Sequence, residues 1–184
     1  LGSERFKITP LITFGAKAFH LSRDETDSFK SITQLNFFSV PKGSIVFISF
    51  GEIDCRLNEG FIVAAEKMRR PLEIVVNETV DGYLRWFKNL NAEKENRLFF
   101  FNVPAPVYLK ENSPELNSEK ASVVKLFNAA LNEHTKQYDY DIIDIFKISA
   151  GESGFSNGYY HIDDVHLGPN AIPEIQKQII QKIL

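Results

Sequence analysis

The sequence predicts an α/β protein with a mostly parallel β-sheet and helices packed on it. Short apolar runs alternate along the chain with longer segments that repeat apolar residues every three or four positions, which is the order of strands and helices in such folds. Two of the runs are nearly continuous in β-branched and aromatic residues, as is typical of strands buried on both faces. No internal repeat or linker divides the 184 residues, so we expect a single domain over residues 1–184.

Four short apolar segments are predicted as strands. The second and third, with the sequences SIVFISF and RLFFFNV, carry most of the evidence for a buried parallel sheet. The first has only four residues and ends at a glycine. In chain order the predicted strands cover residues 11–14, 44–50, 97–103 and 140–145.

Four amphipathic segments are predicted as helices, because their apolar residues recur along one stripe. They cover residues 27–38, 72–90, 118–138 and 170–184. In the last of them, Pro173 falls in the first turn if Asn170 caps the helix, and there a missing N–H costs nothing. Residues 104–117 contain three prolines and are predicted as a long loop, which often borders a functional site in such folds.

Composition and charge exclude several classes of function. The chain has 21 basic and 24 acidic side chains, a net charge of −3, and no clustered basic face, so nucleic acid is not expected as its partner. No apolar run approaches the length of a membrane span, and no cofactor is expected. Cys55 is the one cysteine and cannot form an internal disulfide, which predicts a reducing, cytoplasmic location. What remains is a protein that acts on a small molecule or on another protein.

Asp163 and His166 are the strongest candidates for catalysis. They are separated by two residues in a turn that precedes Gly168 and the last predicted helix. This spacing lets the carboxylate bond one imidazole nitrogen while the other faces outward, so the carboxylate fixes the tautomer and stabilises the imidazolium. With His161 and Asp164 the segment could instead bind a metal, but four ligands within six residues crowd a single ion, and no metal is expected.

Two glycine-containing segments follow predicted strands. Gly51 opens the sequence GEIDCR directly after strand 44–50, at the end of a strand where ligands gather in open α/β sheets. The alternative is an ordinary turn, with Asp54 capping the next helix and Arg56 in a surface ion pair. Gly15 ends the first predicted strand, and a glycine there can offer its N–H to a developing oxyanion.

Together these segments resemble the sequence blocks of the SGNH, or GDSL-type, hydrolases. Asp163 and His166 match the Asp-x-x-His block near the C-terminus of that family. Gly51 to Asp54 is similar in position to the third block and looks like a GEIDC variant of it, and Gly15 stands where the second block has its glycine. The resemblance covers nearly the whole chain in order and spacing.

The resemblance implies a flavodoxin-like α/β/α sandwich with three layers. It also implies an esterase or acyl transferase with a Ser-His-Asp mechanism, acting on a small-molecule or carbohydrate ester such as an O-acetyl sugar. In that mechanism His166 is the general base toward a serine hydroxyl, and Asp163 orients it. The residues that the resemblance assigns to oxyanion or substrate binding are Gly15, Gly51, Asp54 and Arg56.

The chain departs from the family at two positions. Ile53 stands where the family has the asparagine of its oxyanion hole, and a hydrocarbon side chain cannot donate a hydrogen bond. No Gly-Asp-Ser block is present, since the pair Gly2 and Ser3 follows no apolar strand. We expect the nucleophile on an upstream strand, because a flavodoxin-like sheet without its central strand would leave two buried strand edges unpaired.

Three alternatives stay open. In a different register, residues 11–14 are the first strand of a complete but inactive domain, and the protein is a non-catalytic module that binds a glycan or a protein. Cys55 could be a nucleophile activated by His166, although a buried thiol is the simpler interpretation. Tyr159 and Tyr160 could stack on a sugar ring or simply pack.

Overall fold

The computed structural model describes residues 8–183, so Gly2 and Ser3 lie outside the described residues. Helices and strands alternate along this range, as the sequence predicts. Two 3₁₀ turns, Ile53–Cys55 and Pro169–Ala171, accompany the regular elements. The elements are α1 (Ala18–Ser22), α2 (Ser28–Ser39), β1 (Ile45–Ile48), α3 (Phe61–Met68), α4 (Leu72–Asn91), β2 (Arg97–Phe101), α5 (Pro114–Gln137), β3 (Asp141–Ile143), α6 (Ile145–Ser149) and α7 (Ile172–Ile183).

The strands of residues 8–183 form one parallel sheet in the order β1-β2-β3. Val46 lies opposite Leu98, and Phe100 lies opposite Ile142. Parallel neighbours need crossover connections, and here α3 and α4 join β1 to β2 while α5 joins β2 to β3. The carboxyl ends of the three strands therefore lie at the same edge of the sheet, and the loops that follow them share that edge.

Helices cover both faces of this sheet. Along β2, Leu98 and Phe100 point to one face and join the core that α4 and α5 build, where the ring of Tyr83 lies 5.5 Å from that of Phe100. Phe99 points to the opposite face and packs in a second core with Ile179 of α7. The prediction of an α/β fold with a buried parallel sheet is confirmed.

The long helices pack through one apolar stripe each. In α4 this stripe includes Val76, Val80 and Leu84, all fully buried, while Glu73 and Arg85 on the same helix are exposed. Burial of the stripe, rather than helix propensity, holds such helices in place. Within residues 8–183 no helix combines the length and apolarity that crossing a membrane requires.

Residues 11–14 do not form a strand, so that prediction was wrong. The side chains of Leu11, Ile12 and Phe14 are 47%, 58% and 84% exposed. The carbonyl oxygen of Ile12 accepts a hydrogen bond from the side chain of Asn36 on α2, which ties the segment to a helix instead of a sheet. An apolar run of four residues is too short to distinguish a strand from an apolar loop by its pattern.

Two predicted helix boundaries also shift. α5 begins at Pro114, because Ser113 accepts a hydrogen bond from the first turn and proline suits the first helical position. The predicted loop before it is shorter accordingly. Near the C-terminus, α7 begins at Ile172 after a 3₁₀ turn, with Pro173 in its first turn. Asn170 lies within the 3₁₀ turn and does not cap the helix.

Candidate active site

The loops after β2 and β3 pack directly on one another at the carboxyl edge of the sheet. The N–H of Ser156 donates to the carbonyl of Pro106 at 2.8 Å. The N–H of Ala105 donates to the hydroxyl of Ser149 at 2.9 Å. These bonds join the long proline-containing loop to the segment that leads to the candidate acid–base residues.

Asp163 and His166 form a hydrogen-bonded pair within one tight turn. Nδ1 of His166 lies 2.7 Å from one carboxylate oxygen of Asp163. The other oxygen accepts the N–H groups of His166 and Val165 at 2.6 Å and 2.8 Å. These hydrogen bonds, that of the His166 N–H first, lower the pKa of Asp163 to about 2. The carboxylate is therefore ionised at neutral pH and holds the turn in place.

This geometry determines which imidazole nitrogen can act as a base. An ionised carboxylate can only accept a hydrogen bond, so Nδ1 of His166 carries the proton at this short distance. Nε2 is then the basic nitrogen, and within residues 8–183 it has no hydrogen-bond partner. The His166 side chain is 71% exposed. The pair can thus take a proton from a group that approaches Nε2 from solvent.

A small hairpin fixes the position of the pair. His161 and Leu167 form an antiparallel bridge, and the N–H of Ile162 donates to the carbonyl of His166 at 3.0 Å. Gly168 closes the hairpin, where an added Cβ would lie 2.5 Å from Cγ2 of Ile162. A glycine is needed there for this close approach.

The same hairpin does not assemble a metal site among the described residues. Nδ1 of His161 lies 2.8 Å from the hydroxyl of Ser156, and burial lowers the pKa of this imidazole. The carboxylate of Asp163 already makes hydrogen bonds with the backbone N–H and with Nδ1 of His166. Across residues 8–183, no three side chains of His, Cys, Asp or Glu converge in a geometry that could hold an ion.

Gly51 makes a sharp turn directly after β1 that other residues would not allow. Its φ is +115°, and an added Cβ would lie 2.4 Å from Cζ of Phe127 on α5. Its carbonyl accepts the N–H of Cys55 at 3.1 Å, which starts the 3₁₀ turn. The thiol of Cys55 is buried in the core, and burial raises its pKa well above the usual value. The thiol is therefore unsuited to be a nucleophile.

Asp54 joins the loop of residues 51–56, here called the Gly51 loop, to the turn at Gly15. Its side chain is buried, and its two carboxylate oxygens accept the N–H groups of Ala18 at 2.8 Å and Phe19 at 3.0 Å. Asp54 thus caps α1, which precedes it in the chain, instead of the next helix. Gly15 lies in the exposed turn before α1 with φ +71°, and its N–H has no acceptor within the described part of the chain.

Arg56 is held between two carboxylates. Its guanidinium bonds Glu52 at 2.8 Å and Glu59 at 2.9 Å, and the hydrogen bond to Glu52 is the main cause of its raised pKa. Lys17, beside Gly15, donates to the carbonyl of Glu59. These contacts link the two glycine turns a second time. The structure thus brings Gly15 next to the Gly51 loop, but records no hydrogen bond or ion pair from that loop to the Asp163–His166 pair.

Sequence reasoning missed the residues that hold the loop after β2. The carboxamide of Asn128 on α5 accepts from the N–H of Val103 and donates to its carbonyl, both at 2.8 Å. The Ser149 hydroxyl on α6 accepts from the same loop, as described above. Each partner lies 25 or more positions away in the sequence, so no local pattern could reveal these contacts.

Burial of Asp54 predicts a pH-dependent stability. Desolvation raises the pKa of Asp54 from 3.8 to about 6, so between these values the folded state binds a proton that the unfolded state releases. The contribution of Asp54 is fully present below pH 4 and declines through pH 6, by up to about 3 kcal/mol. We therefore expect the free energy of unfolding of the wild type, measured relative to that of Asp54→Asn, to fall as the pH rises from 4 to 7. Urea unfolding across this range measures it, and a difference independent of pH would contradict the prediction.

Comparison with known proteins identifies the fold. No protein-family model matches the chain, and no curated protein matches it in sequence. A GDSL-like lipase from Bacteroides thetaiotaomicron superposes with a TM-score of 0.56 and 18% identity, over 84% of this chain and 71% of that one. A phospholipase A1 from Streptomyces albidoflavus gives a TM-score of 0.45 and 12% identity, over 76% and 68%. The first likeness shows that the chain has an SGNH/GDSL-hydrolase-like fold, as the resemblance predicted.

Proposed function

We propose that this SGNH-like fold carries an ester hydrolase or acyl transferase that acts on an O-acyl group. The observation that supports it best is the Asp163–His166 pair, whose Nε2 is exposed near the carboxyl edge of the parallel sheet. An imidazole oriented in this way takes the proton of an attacking hydroxyl and returns it to the leaving group. Asp163 keeps the tautomer correct and stabilises the imidazolium that forms between these steps.

The proposal assigns the nucleophilic serine to a part of the protein outside residues 8–183. Within the described range, no serine hydroxyl is hydrogen-bonded to Nε2 of His166. Within the same range, β1 pairs with β2 only, so its other edge is unpaired. A strand there would end beside the Gly51 loop, which is the position the flavodoxin-like order gives to the nucleophile.

Backbone N–H groups are the proposed donors to the oxyanion. The N–H of Gly15 is free of acceptors within residues 8–183, and the contacts of Asp54 hold its turn against the Gly51 loop. The side chain of Ile53 cannot donate a hydrogen bond. We therefore assign to a backbone N–H the task that the oxyanion-hole asparagine has in SGNH hydrolases. Arg56 is engaged by Glu52 and Glu59, so its role here is to stabilise the loop.

An acylated carbohydrate is the proposed substrate class. Tyr159 is 64% exposed and Tyr108 is 47% exposed. Tyr159 lies two residues before His161, at the start of the hairpin that carries His166. Exposed aromatic rings offer apolar faces on which a sugar ring can stack. A cytoplasmic location is proposed because the single cysteine cannot form an internal disulfide.

Covalent labelling tests the proposed function. We expect a fluorophosphonate probe to label one serine of the full-length protein, because the probe reacts with a serine that a histidine activates. Mass spectrometry of the labelled peptide then identifies the nucleophile. The variant His166→Ala should lose the labelling. The control variant His134→Ala, whose change lies in the last turn of α5, should keep it. Equal labelling of both variants would refute the assignment of His166.

A second function is favoured by Ile53 and by the absence of a hydroxyl at Nε2 within the described residues. In it, the protein is a non-catalytic module of the same fold that binds a glycan or a protein at the same edge of the sheet. Absence of labelling and of p-nitrophenyl acetate turnover in the folded, full-length protein would select this function.

A further inference from the structure

We propose that the open edge of β3 is a docking groove for an extended, acidic peptide segment of a partner protein. Among residues 8–183, β3 pairs with β2 on one side only. Its other side forms the floor of a groove between α5 and α7, with a volume of about 890 Å³. The groove lies along the side of the sheet and is independent of the function proposed above.

The floor of the groove offers one backbone N–H and one backbone carbonyl that are unpaired within the described residues. The carbonyl of Ile143 points toward β2, where it accepts from the N–H of Asn102 at 3.4 Å. Successive residues of a strand direct their backbone groups to opposite sides, so the N–H and carbonyl of Ile142 point into the groove. Neither has a partner within the described residues. An unpaired edge of this kind can add a strand from another chain.

The neighbouring position shows that this edge accepts an amide partner. The N–H of Asp144 donates to Oε1 of Gln178 at 2.8 Å, and Nε2 of Gln178 donates to the carbonyl of Asp144 at 3.1 Å. The side chain of Gln178 on α7 thus makes the two hydrogen bonds that a peptide group of an adjacent strand would make. A docked strand would continue this pattern at Ile142.

Charge favours an acidic partner. Lys136, Lys147 and Lys177 line the groove, and none of them forms an ion pair within residues 8–183. A surplus of free ammonium groups stands out on a chain whose net charge is −3. Acidic side chains spaced along an extended peptide would meet these groups, which raises both the association rate and the selectivity for such a partner.

The acidic residues of the groove offset this positive charge only in part. Asp141 is already paired with Arg97 at 3.0 Å and with Lys182 at 3.3 Å. The carboxylate of Asp144 accepts from its own helix, α6, and from Asn102. These donors are neutral, so Asp144 keeps its negative charge, and with Glu174 it sets two carboxylates, unpaired within residues 8–183, against the three unpaired lysines of the lining.

Peptide titration of the full-length protein tests the proposal. The probes are the fluorescein-labelled octapeptides (Glu-Thr)₄ and (Lys-Thr)₄, and fluorescence anisotropy measures their binding. We expect the acidic peptide to bind and the basic peptide to bind at least about tenfold more weakly. The double variant Lys136→Glu/Lys177→Glu should bind the acidic peptide about tenfold more weakly, or weaker still. The variant Lys67→Glu/Lys110→Glu, with the same charge change outside the groove, should leave its affinity unchanged.

Two further measurements separate strand addition from general charge attraction. In amide NMR spectra, the acidic peptide should shift the Ile142 N–H and slow its exchange with water. The variant Ile142→Pro should reduce binding by about tenfold, because proline is tolerated on a strand edge but has no N–H to donate. Unchanged binding in this variant, no effect on the Ile142 amide, or equal affinity for both peptides would overturn the proposal. A concentration-dependent dimer that buries Ile142 would also overturn it and assign the edge to a second copy.

Discussion

Replacing His166 by Ala in the full-length protein will lower the turnover of p-nitrophenyl acetate by about a thousandfold or more. In the proposed mechanism, the variant removes the nitrogen that takes the proton of the nucleophile, and loss of a general base of this kind costs factors of about 10²–10⁴. The exposed position of His166 means that the substitution leaves the core intact. Steady-state rates of the purified variant, with circular dichroism as a check on folding, measure the effect.

The matched substitution at Asp163 distinguishes a base from a merely structural histidine. Asp163→Asn places an amide against Nδ1 of His166, and the amide can donate to that nitrogen. The proton then moves to Nε2, which can no longer act as a base, and we expect a loss of about 10⁴-fold. His134→Ala, which removes a histidine from the far part of α5, should keep the wild-type rate. Full activity of His166→Ala would end the hydrolase proposal.

Substituting Gly51 by Ala should cause the largest loss of stability of any single glycine change described above. The added methyl group would lie 2.4 Å from the buried ring of Phe127, and the φ of +115° is strained for any residue with a Cβ. Both effects act together, so we expect the free energy of unfolding to fall by about 3 kcal/mol or more. For a chain of this length, the melting temperature should drop by about 6–12 °C.

A second glycine provides the control for this prediction. Gly43 also has a positive φ, +76°, but an added Cβ there would meet no atom within 4 Å. Gly43→Ala therefore reports backbone strain alone, at about 1 kcal/mol. In thermal unfolding, the melting temperature of Gly51→Ala should be well below that of Gly43→Ala. Equal melting temperatures would mean that Phe127 moves aside without cost and that the close packing of α5 on the turn is not required.

The sequence predicted the parts of the structure that depend on local order. β2 and α4 have strong, long patterns, and the structure places both within two residues of the predicted boundaries. The contact between Asp163 and His166 also follows from local spacing, because one turn fixes both residues. α1, α3 and α6 have five to eight residues each, which is too short for a helical period to be recognised.

Contacts between distant segments could not be predicted in this way. The sequence favours a cap by Asp54 on the helix that follows it, whereas in the structure Asp54 caps α1, 36 positions earlier. Only the folded chain brings that helix end and the buried carboxylate together. The same holds for Asn128, which clamps the backbone of Val103 from the middle of α5. Local pattern thus predicted the long elements and the contact within one turn, whereas tertiary packing determined which distant side chains meet.

The short hairpin that holds both Asp163 and His166 has a consequence for how variants of this protein can be interpreted. The carboxylate, the imidazole and the supporting amides all lie within a few residues of each other, so the geometry of the pair is set within the hairpin. Substitutions in the sheet or in the loop after β1 should therefore leave the hydrogen bond between Asp163 and His166 intact.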